Sequence, residues 1–320
     1  MKKILLFLTT FLLLLVLGAL VFNPTKYFEL CKQGLLVWAL TVVPALLPFL
    51  FCTLLLCKIF SIGKICTILN HICKFLYNEN GISGYLQFIS FISGYPVGAR
   101  QILEFYEQGI ILPKQATKLS TLCSTSGPAF ILSTVCAIML KNKSYAIILL
   151  FCHYLSAIIN GIIFKKYSDY QPIPPLFTKS KTNNLLYDCA FSTFTSCLLV
   201  GVYISFFFVL SQILYDLKIT YPLVKMFEFL FKDVKKATAF VAGLLECTKG
   251  CLMLAETQGL LKLPLICACI TFGGASVIVQ SLAFLKQARA NGKVFLLSKL
   301  IQTLVSFALC LIICLIFGIN

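Results

Sequence analysis

The sequence predicts an all-α polytopic membrane protein made of two inverted-topology repeats with broken helices and re-entrant elements, preceded by an N-terminal anchor helix. Three observations lead there. Apolar runs of spanning length recur from end to end, some of them are cut by helix breakers, and the order of events in the first half returns in the second. Of 320 residues, 59% are hydrophobic and 12% charged, about half the ~25% charged share of a soluble domain. Lipid must be the solvent for much of that apolar surface.

The formal charge of +16 invites a nucleic-acid reading, which the distribution rejects. Lys and Arg stand singly or in pairs between apolar stretches, as cations facing phospholipid headgroups do, and form no basic domain. Membrane lipids are the expected partners. The 16 cysteines suggest neither a disulfide framework nor a metal site. Cys52, Cys57, Cys136, Cys152, Cys197, Cys267, Cys269, Cys310 and Cys314 lie inside apolar runs, where they read as small, lipid-facing hydrophobes. No CxxC pair occurs, and His71 and His153 are the only histidines, so zinc-type spacing is missing.

Along the chain, Lys2-Lys3 followed by Ile4–Phe22 exceeds the ~7–15 residues of a signal-peptide core and lacks an A-x-A site, so residues 1–24 read as a retained anchor. Residues 35–164 form the first repeat. Leu35–Cys57 is a full span containing Pro44 and Pro48. Gly84–Val97 is too short to cross and runs into Gly94-Tyr95-Pro96-Val97-Gly98-Ala99-Arg100. Leu119–Leu140 is long enough to span, yet Ser124-Thr125-Ser126-Gly127-Pro128 interrupts it. Tyr145–Phe164 is clean. A Pro- and Lys-rich linker occupies 165–189.

The second repeat, 190–318, restates the order. Phe191–Leu214 spans, Tyr215–Lys236 is polar and amphipathic, and Thr238–Ala255 is interrupted at Glu246-Cys247-Thr248-Lys249-Gly250. Leu263–Leu285 is broken at Gly273-Gly274-Ala275-Ser276, and Val294–Phe317 closes the chain. Four ordered coincidences (Gly98 with Gly250, Gln108-Gly109 with Gln258-Gly259, Pro113 with Pro264, Ser126 with Ser276), 150 to 152 positions apart, argue for duplication. Three full spans per half require the second copy to insert upside down. With the N-terminus inside, Lys58–Lys74, the linker and Lys286–Lys293 fall in the cytoplasm, as positive charge prefers. The five lysines of Tyr215–Lys236 then lie outside, against the rule.

Breaks at matching places in inverted halves point to a solute site, because irregular chain at membrane depth survives only beside protein or a wet cavity. The expected substrate-binding set is therefore Gly94, Tyr95, Pro96, Gly98 and Arg100; Ser124, Thr125, Ser126 and Gly127; Glu246, Thr248 and Gly250; and Gly274, Ser276 and Gln280. Arg100 suits an anion. Pro128 can open a second half-helix with a hydroxyl near its cap. Glu246, a carboxylate in a short apolar segment, needs a cavity or a partner, for which Lys249 is the nearest choice. Ser276 and Gln280 share a helical face. His153, in a clean span, reads as a packed or cytoplasm-facing residue rather than a base. No G-x-S-x-G, H-E-x-x-H or P-loop occurs, so an enzyme is not expected, nor any cofactor. The coupling ion, H+ or Na+, and the oligomeric state stay open.

Val42-Val43-Pro44-Ala45-Leu46-Leu47-Pro48-Phe49, Ser93–Arg100 and Ser126–Ile131, with Gly243–Gly250 and Gly273–Gln280 in the second half, resemble the sporulation integral membrane proteins of the YlbJ type. The likeness covers nearly the whole chain. It implies a nucleoside-recognition Gate domain, similar to the core of concentrative nucleoside transporters, in a bacterial cytoplasmic membrane, and in spore formers the membrane around the forespore. It further implies a secondary transporter of a small polar or anionic solute, dipicolinate being the task proposed for the family and a nucleoside-type solute the alternative. A non-transporting scaffold for spore-envelope assembly is the rival expectation. One departure stands out: the family favours Asn beside the Ser and before the Pro of its first broken helix, where this chain has Ser124 and Gly127.

Overall fold

The computed structural model describes residues 2–59, 62–168, 170–173 and 184–319, and all the regular structure there is helical. Part of the predicted linker, 174–183, lies outside the described residues. Five helical stretches are long and apolar enough to cross a membrane: Pro24–Leu56, Tyr145–Tyr167, Leu185–Asp216, Lys262–Gln287 and Gly292–Phe317. The chain is an all-α, multi-pass membrane protein.

Helices α1 (Lys2–Phe22) and α2 (Pro24–Val37) lead through a π-helical turn, Trp38–Val42, into α3 (Val43–Ile59). The span predicted over Leu35–Cys57 thus begins some ten residues earlier. Pro24 stands at the first turn of α2, where a missing N–H costs nothing. Lys26 and Tyr27 then fix that end to Asp216, at 2.6 and 3.0 Å.

Next come α4 (Ile62–Tyr77), α5 (Gly81–Ser93), α6 (Val97–Glu107) and α7 (Pro113–Ser120), then a stretch without helix from Thr121 to Gly127. Helix resumes at Pro128 and is π-helical over Phe130–Met139. Leu119–Leu140, expected as an interrupted span, is therefore mostly not α-helix. Pro128 opens the new helix as expected, but the residue before it is Gly127, so no hydroxyl caps it. α8 (Tyr145–Ile163) ends this half.

The second half runs α9 (Leu185–Asp216), α10 (Tyr221–Phe231), α11 (Val234–Leu245), α12 (Cys247–Ala255), α13 (Lys262–Phe272), α14 (Gly274–Gln287) and α15 (Gly292–Phe317). The polar stretch 215–236 is largely helical: Pro222 sits in the first turn of α10, and left-handed Lys232 ends it. α5 and α6 fold into a hairpin, as do α11 and α12; α6 lies on α14, and α12 lies on the π-helical segment.

Polarity along α15 is inside-out. Ser298, Lys299, Gln302, Thr303 and Ser306 are buried, while Leu296, Leu300, Leu304, Ile312 and Leu315 are exposed. Alternation at helical spacing with apolar side chains outward is what a hydrocarbon solvent selects. Most cysteines sit within the protein. Of those placed in apolar runs, Cys136, Cys152, Cys197, Cys267, Cys269, Cys310 and Cys314 are buried and Cys52 is exposed; the side chain of Cys57 is not described. The expectation of lipid-facing thiols holds for Cys52 alone among these, because helix faces carrying small residues turn toward neighbouring helices.

Candidate functional site

Backbone closest approach explains why the breaks meet. A Cβ on Gly94 would lie 2.4 Å from the Gly127 nitrogen, so the loop between α5 and α6 touches the unwound 121–127 chain directly. Gly94 also adopts φ +74°, a conformation that costs glycine nothing. In the other half a Cβ on Gly250 would stand 2.2 Å from Gly243 Cα, and one on Gly274 would meet the Leu245 carbonyl at 3.0 Å. In each half one break packs on the other.

Unwound chain at this depth must find hydrogen bonds from elsewhere, and the 121–127 segment does. The Asn160 amide donates to Thr121 O at 2.8 Å, and the Lys299 ammonium donates to Ser124 O at 3.0 Å. Thr125 Oγ1 donates to Ser90 O at 3.0 Å. The Ser126 N–H donates to His153 Nε2 at 2.8 Å, while the Tyr154 hydroxyl donates to Phe91 O at 2.8 Å and Ser126 O at 3.3 Å. Since His153 Nε2 accepts, a neutral imidazole carries its proton on Nδ1 and donates it to Thr271 Oγ1, 2.9 Å away. Lys299 also donates to Thr271 O, and the Tyr95 hydroxyl donates to Ile270 O, both at the end of α13. The Lys299 ammonium lies 5.4 Å from the Tyr95 ring centre. The first half's breaks are thereby tied to the second half's.

In the second half Glu246 is the N-cap of α12, its Oε2 accepting from the Lys249 N–H at 2.7 Å. The Lys249 side chain does not pair with it. That ammonium donates instead to Ser211 Oγ at 2.8 Å and to Phe208 O at 3.2 Å on α9. The ion pair considered from spacing is replaced by a cap, because a carboxylate just before a helix finds free N–H donors in its own chain.

These breaks line one narrow cavity of about 70 Å3. Its polar side is Ser93, Tyr95, Ser126, Glu246, Thr248, Ser276 and Gln280; its apolar side is Val42 of the π-helical turn, Leu46 of α3, Val200 and Ile204 of α9, and Phe130. The buried Ser93 hydroxyl has no hydrogen-bond partner. α14 starts beside the cavity with no side-chain cap, which leaves first-turn N–H groups and their partial positive charge available.

Of the residues expected from sequence, Gly94, Tyr95, Ser126, Gly127, Glu246, Thr248, Ser276 and Gln280 line this cavity together. Pro96, Gly98, Ser124, Thr125, Gly250 and Gly274 do not. Gly98 and Gly250 sit inside α6 and α12, where they permit close packing on the Cys123 carbonyl and Gly243. Arg100 points elsewhere. It donates to Ser196 Oγ at 3.3 Å and lines a separate cavity with Glu104, Glu107 and Asp188. Sequence reasoning missed His153 and Lys299 as the ties of the breaks. A lone cation or imidazole in an otherwise clean span is the signal that would have found them.

Three cavities follow one another along α9, at 188–196, at Val200–Ile204, and at Ser211–Tyr215. No metal-holding group of His, Cys, Asp or Glu occurs among the described residues.

Outside the membrane-spanning helices, Asp233 caps α11, its Oδ1 accepting from the Lys236 N–H at 3.1 Å. Hydrogen bonding to the Lys236 side chain and N–H holds its carboxyl below the usual value.

Compared with curated proteins, the chain is 26% identical over 308 residues to the sporulation integral membrane protein YlbJ of Bacillus subtilis (strain 168), across 88% of this chain and 76% of that protein. No protein-family profile matches it, and no solved structure does. The likeness extends along most of the chain, and together with the five helices of spanning length it makes the chain a multi-pass membrane protein similar to that relative.

Proposed function

We propose that the chain is a secondary transporter that carries a small polar or anionic solute by alternating access, its two halves inserted as inverted repeats. One observation carries the reading: chain breaks from both halves converge on a single cavity between α3 and α9. Irregular backbone gathered around a hollow at membrane depth is the arrangement by which transporters replace a solute's hydration shell. The cavity's two-sidedness supports a flat, partly apolar solute with polar edges. Ser93, Ser126, Thr248, Ser276 and Gln280 would meet the edges, and Val42, Leu46 and Ile204 the face.

Glu246 is the residue for ion coupling in this reading. Its cap bonds orient one carboxylate oxygen toward α12, and the residue lines the cavity. The name of the Bacillus subtilis relative suggests a role in sporulation, where an aromatic dicarboxylate such as dipicolinate is the first substrate to try and a nucleoside the second.

Uptake of both labelled solutes into proteoliposomes tests the proposal. Accumulation above that of empty liposomes, lost on Gln280→Leu, is the expected result. In parallel, Ser276→Cys in a cysteine-depleted background should react with a membrane-impermeant maleimide. Neither solute taken up, together with an unreactive Cys at 276, would leave the scaffold reading in its place.

A further inference from the structure

Beyond Ile204 a separate cavity lies between α9, α10, α11 and α12, lined by Ser211, Thr220, Thr238 and Lys249 with apolar Val224 and Leu245. Lys249 is 8% exposed. Its ammonium donates only to neutral acceptors, Ser211 Oγ at 2.8 Å, Phe208 O at 3.2 Å and Gln212 Oε1 at 3.4 Å. Among the described residues it forms no ion pair, and Glu246, three positions earlier, spends its cap oxygen on the α12 backbone. A buried cation held only by neutral groups, these dipoles and the Phe208 ring whose centre lies 5.7 Å away, keeps much of its desolvation cost. A second observation is independent of the first: Thr220 Oγ1, in the same wall, is buried and has no hydrogen-bond partner. Buried hydroxyls are ordinarily satisfied.

We propose that this cavity is an accessory binding site for a monocarboxylate with an apolar body. The ammonium of Lys249 meets one carboxylate oxygen, the Thr220 hydroxyl donates to the other, and the body rests on Val224 and Leu245. One buried ammonium calls for one negative charge, so a dianion is the poorer fit. The site sits beside α9 next to the central cavity, yet it does not depend on the transport reading, because binding here needs no gradient.

Equilibrium binding of radiolabelled benzoate to the full chain in detergent tests it. Wild type is expected to bind saturably, Lys249→Met at least about tenfold more weakly, and Lys249→Arg close to wild type, since the charge and donors persist. Thr220→Val should weaken binding roughly three- to tenfold through loss of one donor. Size-exclusion and thermal unfolding profiles establish that the variants are folded, and Thr220→Val, which keeps side-chain shape, carries the test if Lys249→Met does not fold. No saturable benzoate binding by wild type overturns the site, as does wild-type binding in every folded Lys249→Met or Thr220→Val variant. Loss of binding in Gln280→Leu with full retention in Thr220→Val assigns the anion to the central cavity and overturns it equally.

Discussion

His153 accepts the Ser126 N–H at 2.8 Å, so an α8 side chain fills the hydrogen bond that a continuous helix would have supplied at the break. Its second nitrogen reaches Thr271. His153→Leu leaves both partners buried without a match, at an expected cost of roughly 2–4 kcal/mol. His153→Gln, which keeps an acceptor, should recover part of it. Thermal unfolding of the purified variants checks this, and a His153→Leu protein as stable as wild type would refute the assigned role.

Close approach of α11 and α12 predicts a sharp size limit. Gly250→Ala places a methyl 2.2 Å from Gly243 Cα, backbone that has nowhere to retreat, so a loss of about 3 kcal/mol or failure to accumulate is expected. Gly18→Ala, with no atom within 4 Å, should be neutral or gain up to ~1 kcal/mol of helix stability. Protein yield and unfolding temperature of the pair decide it.

Glu246 combines capping with cavity lining, and two substitutions separate the roles. Glu246→Gln retains an oxygen for the Lys249 N–H and should unfold within about 1 kcal/mol of wild type, whereas Glu246→Ala loses the cap and should cost ~1–2 kcal/mol. Proteoliposome uptake is expected to fall in both. Full uptake by Glu246→Gln would remove the carboxylate from the coupling role.

Asp233 gives the pH dependence outside the spans. Its folded value lies below the ordinary 3.8, so its ionised form stabilises the α10–α11 corner. That contribution is present above the unfolded value and fades as pH falls through the folded one. Asp233→Ala should therefore destabilise by about 1 kcal/mol near neutrality, with wild type and variant converging as pH falls through the folded value. Unfolding temperatures across that range measure the convergence.

The places where helices break were readable because Gly, Pro and clustered Ser stand out against apolar runs, and both Gly94 and Gly273 fall where the chain turns. What holds the breaks was not readable. His153 and Lys299 sit in helices whose composition is otherwise that of a plain span, and only tertiary placement tells which way one polar residue faces. The two cations near the breaks mislead for the same reason. Arg100 and Lys249 each stand just after an interruption, yet both reach sideways to serines of α9 and neither lines the central hollow. The span expected over Leu119–Leu140 dissolves because Asn160, His153 and Lys299 supply the bonds a helix would have made, and those partners lie far along the sequence.

α9 is 32 residues without interruption, about 48 Å of rod against a hydrocarbon layer of ~30 Å. Such a rod must lean or overhang, which sets its three flanking hollows at successive depths. A solute carried as proposed would keep that single rigid surface at its side from one hollow to the next, as a bead keeps to its wire.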